Sequence, residues 1–383
     1  LIGLICLYSA TTGGGRPFLQ TGFGRQIIWL MLGAGLWSIV ICIPLRFYFQ
    51  GAYFVYGLSL VFLVLVLFLG RGDVHRWISL GFFRFQPSEM AKLGTLLALA
   101  RYMSHETASV LSRKRLAGAF LFALFPVLLI LYEPDVGTAT VYVALLAGMV
   151  IWAGVTWNAV LWVTAPCVAI ACGFHVLALI VFFIILGIIL WKRRVSWPQT
   201  ATLAALCFTL ARLAPSLWTR LEPYQQQRIL IFLGMKSDPH GAAYQVIQSK
   251  VAIGSGGILG KGLMQGSQTQ LRFLPEQHTD FIFSVLAEEM GFIGVLLALG
   301  VFLFLLLRVI RTARLARTSF SSLATIGIFS VLAYQWAVNV GMTVGLAPVT
   351  GLPLPFLSYG GSSLLLMGSL VALTANISAE RYV

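Results

Sequence analysis

Long apolar runs separated by short polar breaks fill most of the chain, and their lengths predict twelve helices. These run roughly over 1–10, 27–45, 52–70, 87–103, 116–132, 136–154, 159–173, 175–191, 199–214, 281–307, 320–345 and 362–378. The opening Leu1-Ile2-Gly3-Leu4 reads as the middle of a span, so the first helix is expected to be truncated. One long polar segment, 215–280, interrupts the pattern, and its end carries most of its special chemistry. There Gly254, Gly256, Gly257, Gly260, Gly262 and Gly266 allow positive φ and close backbone approach. From Met290 to Leu307 there are 18 uncharged residues, enough to cross about 27 Å of hydrocarbon. Residues 279–289 are then expected at or near the interface, carrying Asp280, Glu288 and Glu289, with Thr279 or Asp280 as N-cap.

Composition turns this pattern into a fold class. The 383 residues are 59% hydrophobic and 10% charged, with a mean hydropathy of +0.90. That excludes a soluble globular protein and predicts an all-α, polytopic helical membrane protein. The excess of 26 basic over 12 acidic residues gives +14. In such a chain it points to loops on anionic lipid and to an anionic substrate, not to nucleic acid. Thirteen basic residues follow the second, fourth, eighth, tenth and last helices, against five (Arg16, Arg25, Arg71, Arg76 and Arg84) in the opposite short loops. The positive-inside rule makes the first set cytoplasmic and puts 215–280 outside. Five cysteines, 6, 42, 167, 172 and 207, all fall in apolar runs without a CxxC, so they read as buried core residues. With no internal repeat or linker, 1–383 is expected to be a single membrane domain, and 215–280 is too long to be a bare connector.

The remaining polar features gather on the outer side. Arg76 and Trp77 precede Gln86-Pro87-Ser88-Glu89-Met90-Ala91-Lys92, where Pro87 suits a first helical position and Glu89 and Lys92 share one face. Two buried charges at that spacing either neutralise each other or belong to a site. Trp77 is either an interfacial anchor or a sugar-stacking surface. In Glu133-Pro134-Asp135, Pro134 ends the fifth helix and Asp135 caps the sixth. Lys250, Lys261, Arg272, Glu276, His278, Thr279 and Asp280 cluster ahead of the tenth helix. GSGGILGKG is not a P-loop, because Ser255 stands where the first Gly belongs and Gly262 follows Lys261. Its glycines serve either backbone approach to a lipid pyrophosphate or tight turns and close helix packing. A single His beside Asp280 argues against a zinc hydrolase but leaves room for a loosely held Mg²⁺ or Mn²⁺ shared between Asp280 and substrate phosphates. Finally, Gly345 to Ser363 breaks an apolar run with irregular backbone, tolerated at membrane depth only inside protein or beside a watery cavity. Together these features describe an outward-facing cavity for an amphiphilic, anionic substrate.

The tail Asn339-x5-Gly345-Leu346-x-Pro348-x-x-Gly351-Leu352, followed by Phe356-Leu357-Ser358-Tyr359-Gly360-Gly361-Ser362-Ser363, resembles the signature of the SEDS family. That family includes the elongation protein RodA, the division protein FtsW and the sporulation protein SpoVE. RWISLGFFRFQPSEMAK, EPDVGTA, YQQQRI and the 248–289 stretch extend the likeness over nearly the whole chain, and 248–289 is more similar to RodA than to FtsW. The resemblance implies a peptidoglycan glycosyltransferase that polymerises lipid II at the outer face of the plasma membrane, with a class B penicillin-binding protein as transpeptidase partner. It matches the family's essential acid to Asp280 and its Glu and Lys to Glu89 and Lys92. Arg76, Trp77, Lys250, Lys261, Arg272, Glu276, His278, Thr279, Ser358 and Tyr359 are the expected lining of the substrate cavity. The family has ten spans, so 159–214 supplies an extra pair. A lipid II flippase, or a noncatalytic scaffold of the elongation or division machinery, is the alternative.

Overall fold

The computed structural model describes residues 2–11, 18, 21–69, 76–80, 83–104, 113–154, 157–221, 223–232, 235, 243–271, 273–274 and 276–380. Arg16, Arg71, Arg272, Pro275 and Arg381 lie outside the described residues. Each predicted helix has a counterpart: α1 Ile2–Thr11, α2 Gly22–Cys42, α3 Leu45–Leu69, α4 Pro87–Ser104, α5 Arg113–Tyr132 and α6 Val136–Trp152. Then come α7 Trp157–Cys172, α8 Val176–Lys192 and α9 Trp197–Thr219. The polar segment folds into three further helices, α10 Pro223–Phe232, α11 Tyr244–Gly256 and α12 Ser267–Gln270. Last are α13 Ile282–Arg314, α14 Ser319–Val344 and α15 Gly361–Ala379. Before α4, β1 Ile78–Leu80 and β2 Phe83–Phe85 pair antiparallel, a small addition to an all-α fold. Among the described residues, α2, α3, α5, α13, α14 and α15 are long and apolar enough to cross a membrane, and α1, α6 and α8 are apolar but shorter.

The chain divides into two compact units, Leu1–Ala153 with Ser237–Val383, and Gly154–Lys236. In the second, Ala165, Ala169, Phe182, Leu186, Leu203 and Cys207 form a small core between α7, α8 and α9. In the first, α14 packs against α4, α6 and α13, and α15 packs on α2. The ends of these helices follow local rules. Thr21 and Thr318 accept from backbone N–H groups at the starts of α2 and α14, and Gly345 closes α14 in the left-handed region at φ 82°. Pro87 opens α4, and α5 stops at Tyr132, before Pro134.

α13 is two helices joined at Gly291, whose φ of 64° and ψ of −166° break the ladder. The glycine-rich turn after α11 bridges the break. Phe292 N donates to Gly257 O at 2.9 Å, Ile293 N to Ile258 O at 3.2 Å, Lys261 N to Glu288 O at 3.0 Å and Gly262 N to Glu289 O at 3.1 Å. A Cβ on Gly260 would stand 2.2 Å from Glu289 O, and one on Gly256 2.0 Å from Ala287 O. Close backbone packing is therefore what Gly256 and Gly260 do. Gly260→Ala, with φ at 81° and backbone in its way, is expected to cost about 1–3 kcal/mol in strain and a similar amount in overpacking. A clear fall in the thermal midpoint of the detergent-solubilised protein would show it, and an unchanged midpoint would contradict the packing account.

None of the five cysteines is in a disulfide, as their placement in the sequence predicts. Their expected burial holds for Cys6 and Cys207, whereas Cys172 is half-buried and Cys42 and Cys167 are exposed. Those two sit on the exposed faces of α2 and α7, and an apolar helix in a membrane protein has such faces by right.

Candidate functional site

Asp280 ends a tight turn that leads into α13. Thr279 N and Asp280 N both donate to Glu276 O, at 3.2 and 3.1 Å, and Glu276 itself is held at φ 51°. The expected capping role is corrected here: the N-cap position belongs to Phe281, one residue later, and neither Thr279 nor Asp280 occupies it. Phe281 is fully buried among Leu274, Met342 and Val349, and that apolar anchor moves the helix start past the carboxylate. Asp280 is left half-buried at the end of the turn.

Three clamps fix this turn to the irregular segment 345–360. Ser358 Oγ donates to Thr279 O and accepts from Leu354 N. Tyr359 N donates to His278 O at 2.8 Å, and the two rings stand 5.9 Å apart. Asn339 Nδ2, from α14, donates to Asp280 O at 3.0 Å and to Leu352 O at 2.7 Å. Asp280 Oδ2 lies 3.5 Å from where a Cβ on Gly351 would be, so the carboxylate faces the broken segment. Phe356 and Glu276, both non-glycine residues at positive φ, flank the turn. Strained backbone held by surrounding structure is a mark of functional sites. Asn339 is absent from the expected cavity lining, although an amide in an apolar helix is a signal that sequence carries.

A second polar group meets the same segment. Lys92 Nζ donates to Glu89 Oε1 at 2.6 Å, with Lys92 1% and Glu89 3% exposed. Tyr142, in α6, donates to Ser88 O at 2.9 Å. Asp135 caps α6 by accepting from Thr138 N at 3.1 Å, as expected. Arg76 holds the turn before it, donating from Nε to Glu133 O at 3.1 Å and from its terminal nitrogen to Pro134 O, with Asp135 Oδ2 4.0 Å away. A Cβ on Gly137 would touch Thr350 O, so the start of α6 packs on the wall that Asp280 faces. Trp77, beside Arg76, is exposed.

In the turn between α5 and α6, Glu133 is 1% exposed and neither carboxylate oxygen has a hydrogen-bond partner. Burial pushes its carboxyl up to about 8, the Asp135 charge adds to this, and Arg76 opposes it. The folded pKa lies above the unfolded value, so this group's contribution is complete below about 4.5 and is lost as pH rises through about 8. Glu133→Gln is therefore expected to flatten the fall in thermal midpoint between pH 5 and pH 8. A wild-type slope in that variant would show that Glu133 is ionised in the folded protein.

The other expected lining residues are placed apart from Asp280. Lys261 Nζ pairs with Glu288 Oε1 at 2.9 Å. Glu288 also accepts from Gln268 N and Thr269 N, at 3.0 and 3.1 Å, and so anchors the start of α12. It stands eight residues along α13 from Asp280, about 12 Å away at helical rise. Lys250 is exposed, and its Nζ lies against Gly345, at the C-terminal end of α14 where a cation is favoured. Glu276 is exposed and accepts from Thr279 Oγ1 at 3.2 Å. Among the described residues no three His, Cys, Asp or Glu side chains converge as a metal-holding set.

The family model described as "Cell cycle protein", which groups FtsW, RodA and SpoVE, matches residues 1–179 and 163–383. The peptidoglycan glycosyltransferase MrdB of Escherichia coli K12 is 35% identical over 93% of this chain and 85% of its own length. A chain of a solved peptidoglycan synthase complex, described for its coordination of polymerization and crosslinking, superposes with a TM-score of 0.69. It is 35% identical, over 94% of this chain and 90% of that one. The crystal structure of the rod shape determining protein RodA of Thermus thermophilus gives 0.64 at 29% identity, over 100% and 93%. The clamped Asp280 turn and the broken segment beside it are thus the candidate site of a multi-pass membrane protein that belongs to the FtsW/RodA/SpoVE family of cell cycle proteins.

Proposed function

We infer that this chain is a peptidoglycan glycosyltransferase, polymerising lipid II in cell elongation and shape maintenance. Asp280, a half-buried carboxylate fixed by backbone clamps and facing broken backbone, is the observation that carries the mechanism. As carboxylate it accepts the proton from the C4 hydroxyl of one substrate's N-acetylglucosamine. The freed oxygen attacks the anomeric carbon of the other substrate's muramyl sugar, the bond to the pyrophosphate oxygen breaks, and configuration inverts from α to β. Undecaprenyl pyrophosphate leaves with the bonding pair. A base that is already positioned loses little reorganisation energy at the moment of transfer.

The buried Glu89–Lys92 pair on α4 and the Arg76-bound turn at the start of α6, which packs on Thr350 through Gly137, supply the fixed charge. Charge placed in advance near a leaving pyrophosphate stabilises it as it departs. Asp280 and the substrate phosphates would hold a divalent cation, which would supply positive charge to the leaving pyrophosphate, and chelation would then lower the rate without unfolding the protein. The site faces the outer side of the plasma membrane, and the partner is a class B penicillin-binding protein acting as transpeptidase. The decisive assay adds lipid II to purified protein in detergent, where there is no second compartment to move it to. Glycan polymer is expected, and more of it with the partner present. Unreacted lipid II under every condition, together with transfer of lipid II across vesicle membranes, would replace the polymerase with a flippase.

A further inference from the structure

α11 is built inside out. Its inward face is small or polar: Ser249, Ala252 and Gly256 are buried, and Ser249 Oγ accepts from Ser284 Oγ at 2.6 Å while donating to Thr343 O at 2.7 Å. Its outward face carries an apolar row beside the exposed Lys250 and Ser255. Ile247, Val251 and Gly254 fall at i, i+4 and i+7 on the exposed side. The turn carries the stripe on through Ile258 and Leu259, 69% and 78% exposed, and Leu263 and Met264 are exposed beyond it. Small residues and hydroxyls at a helix contact, with large apolar side chains turned away, is the packing of a helix surrounded by lipid. A helix in water has the opposite arrangement.

Depth follows from the hydrogen bonds across the break in α13. Gly257 O and Ile258 O accept from Phe292 N and Ile293 N, so the tip of the turn is level with the first residues after Gly291. There α13 exposes Phe292, Ile293, Leu296 and Leu297. Phe292 is 16 residues from Arg308, the first charge toward the other end, or about 24 Å at helical rise. A hydrocarbon core of about 30 Å therefore extends past the tip. Between Lys250 and Lys261 the chain carries no charge, and Lys261 is neutralised by Glu288. The exposed row of the turn is continuous with that of a membrane-spanning helix.

We propose that residues 247–264 form a re-entrant element seated in the hydrocarbon of the leaflet that borders Asp280, with Ile258 and Leu259 at its deepest point. The occupant of its exposed face is lipid. The inference rests on membrane insertion of α13 and holds whether or not Asp280 is a base. Val246, just ahead of this element on the same helix, packs against the cluster that holds Phe281, so α11 also braces the Asp280 turn.

The test is depth-dependent quenching in phosphatidylcholine–phosphatidylglycerol vesicles. Single cysteines replacing Leu259, Leu296 and Glu276, in protein whose native cysteines are changed to alanine, carry an environment-sensitive fluorophore. Nitroxide lipids are expected to quench the label at 259 to within about twofold of that at 296, while aqueous iodide quenches the label at 276 several-fold more than either. Iodide quenching at 259 equal to that at 276 would place the turn in water and overturn the proposal. Protection at 259 from both quenchers would overturn it as well, by giving the face a protein occupant.

Discussion

Asp280→Asn is expected to lower lipid II polymerisation by roughly 10²–10⁴-fold, the range a positioned general base contributes. The change keeps the size of the side chain and one acceptor oxygen, and removes the negative charge and with it the affinity for a proton. The clamps from Ser358, Tyr359 and Asn339 all act on backbone atoms of residues 278–280, so none of them depends on the carboxylate. The variant should therefore keep the clamped backbone and bind lipid II within a few-fold of the parent, so the loss appears in turnover. A folded variant that polymerises at the parental rate would remove Asp280 from the reaction. A variant that fails to fold would instead give the carboxylate a structural role, and Asp280→Glu, which restores a base one methylene out of place, would then separate the two.

Much of this arrangement is legible in the sequence because each part obeys a local rule. Apolar run length alone locates twelve of the described helices, and Pro87, Pro134 and Asp135 mark ends that the structure keeps. The i, i+3 spacing of Glu89 and Lys92 places them on one face, and they meet at 2.6 Å. What sequence misses is set by contacts distant along the chain. Phe281, not Asp280, takes the N-cap position because a buried aromatic anchored by Met342 and Val349 overrides capping preference. The glycines of 256–262 fit a phosphate-cradling loop and a packing surface equally well until the break at Gly291 is seen to need their backbone. Lys261 has the look of a substrate cation, yet Glu288, 27 residues on, neutralises it. Polarity summed over 215–280 suggests a solvent-facing loop, but the face each residue presents is a property of α11, not of composition.

Glu89→Leu is expected to destabilise the protein by about 3–5 kcal/mol, because it leaves the Lys92 ammonium buried without its partner. Both side chains are nearly inaccessible, so water cannot take over the role of the carboxylate. The double variant Glu89→Leu with Lys92→Met removes both charges, and on the same reasoning recovers most of that loss and can match the parent in stability. That pair of measurements separates two roles that a single substitution confounds. If the ion pair exists only to neutralise two charges within the bundle, the double variant is as stable as the parent and polymerises lipid II at its rate. If its field acts on the reaction, the double variant is stable and slow. The second outcome is expected, because Ser88 and Glu89 share their level with Tyr142, whose helix packs through Gly137 on the wall that Asp280 faces. Preorganised charge is worth most where it costs no rearrangement, and a pair locked by burial has none to make.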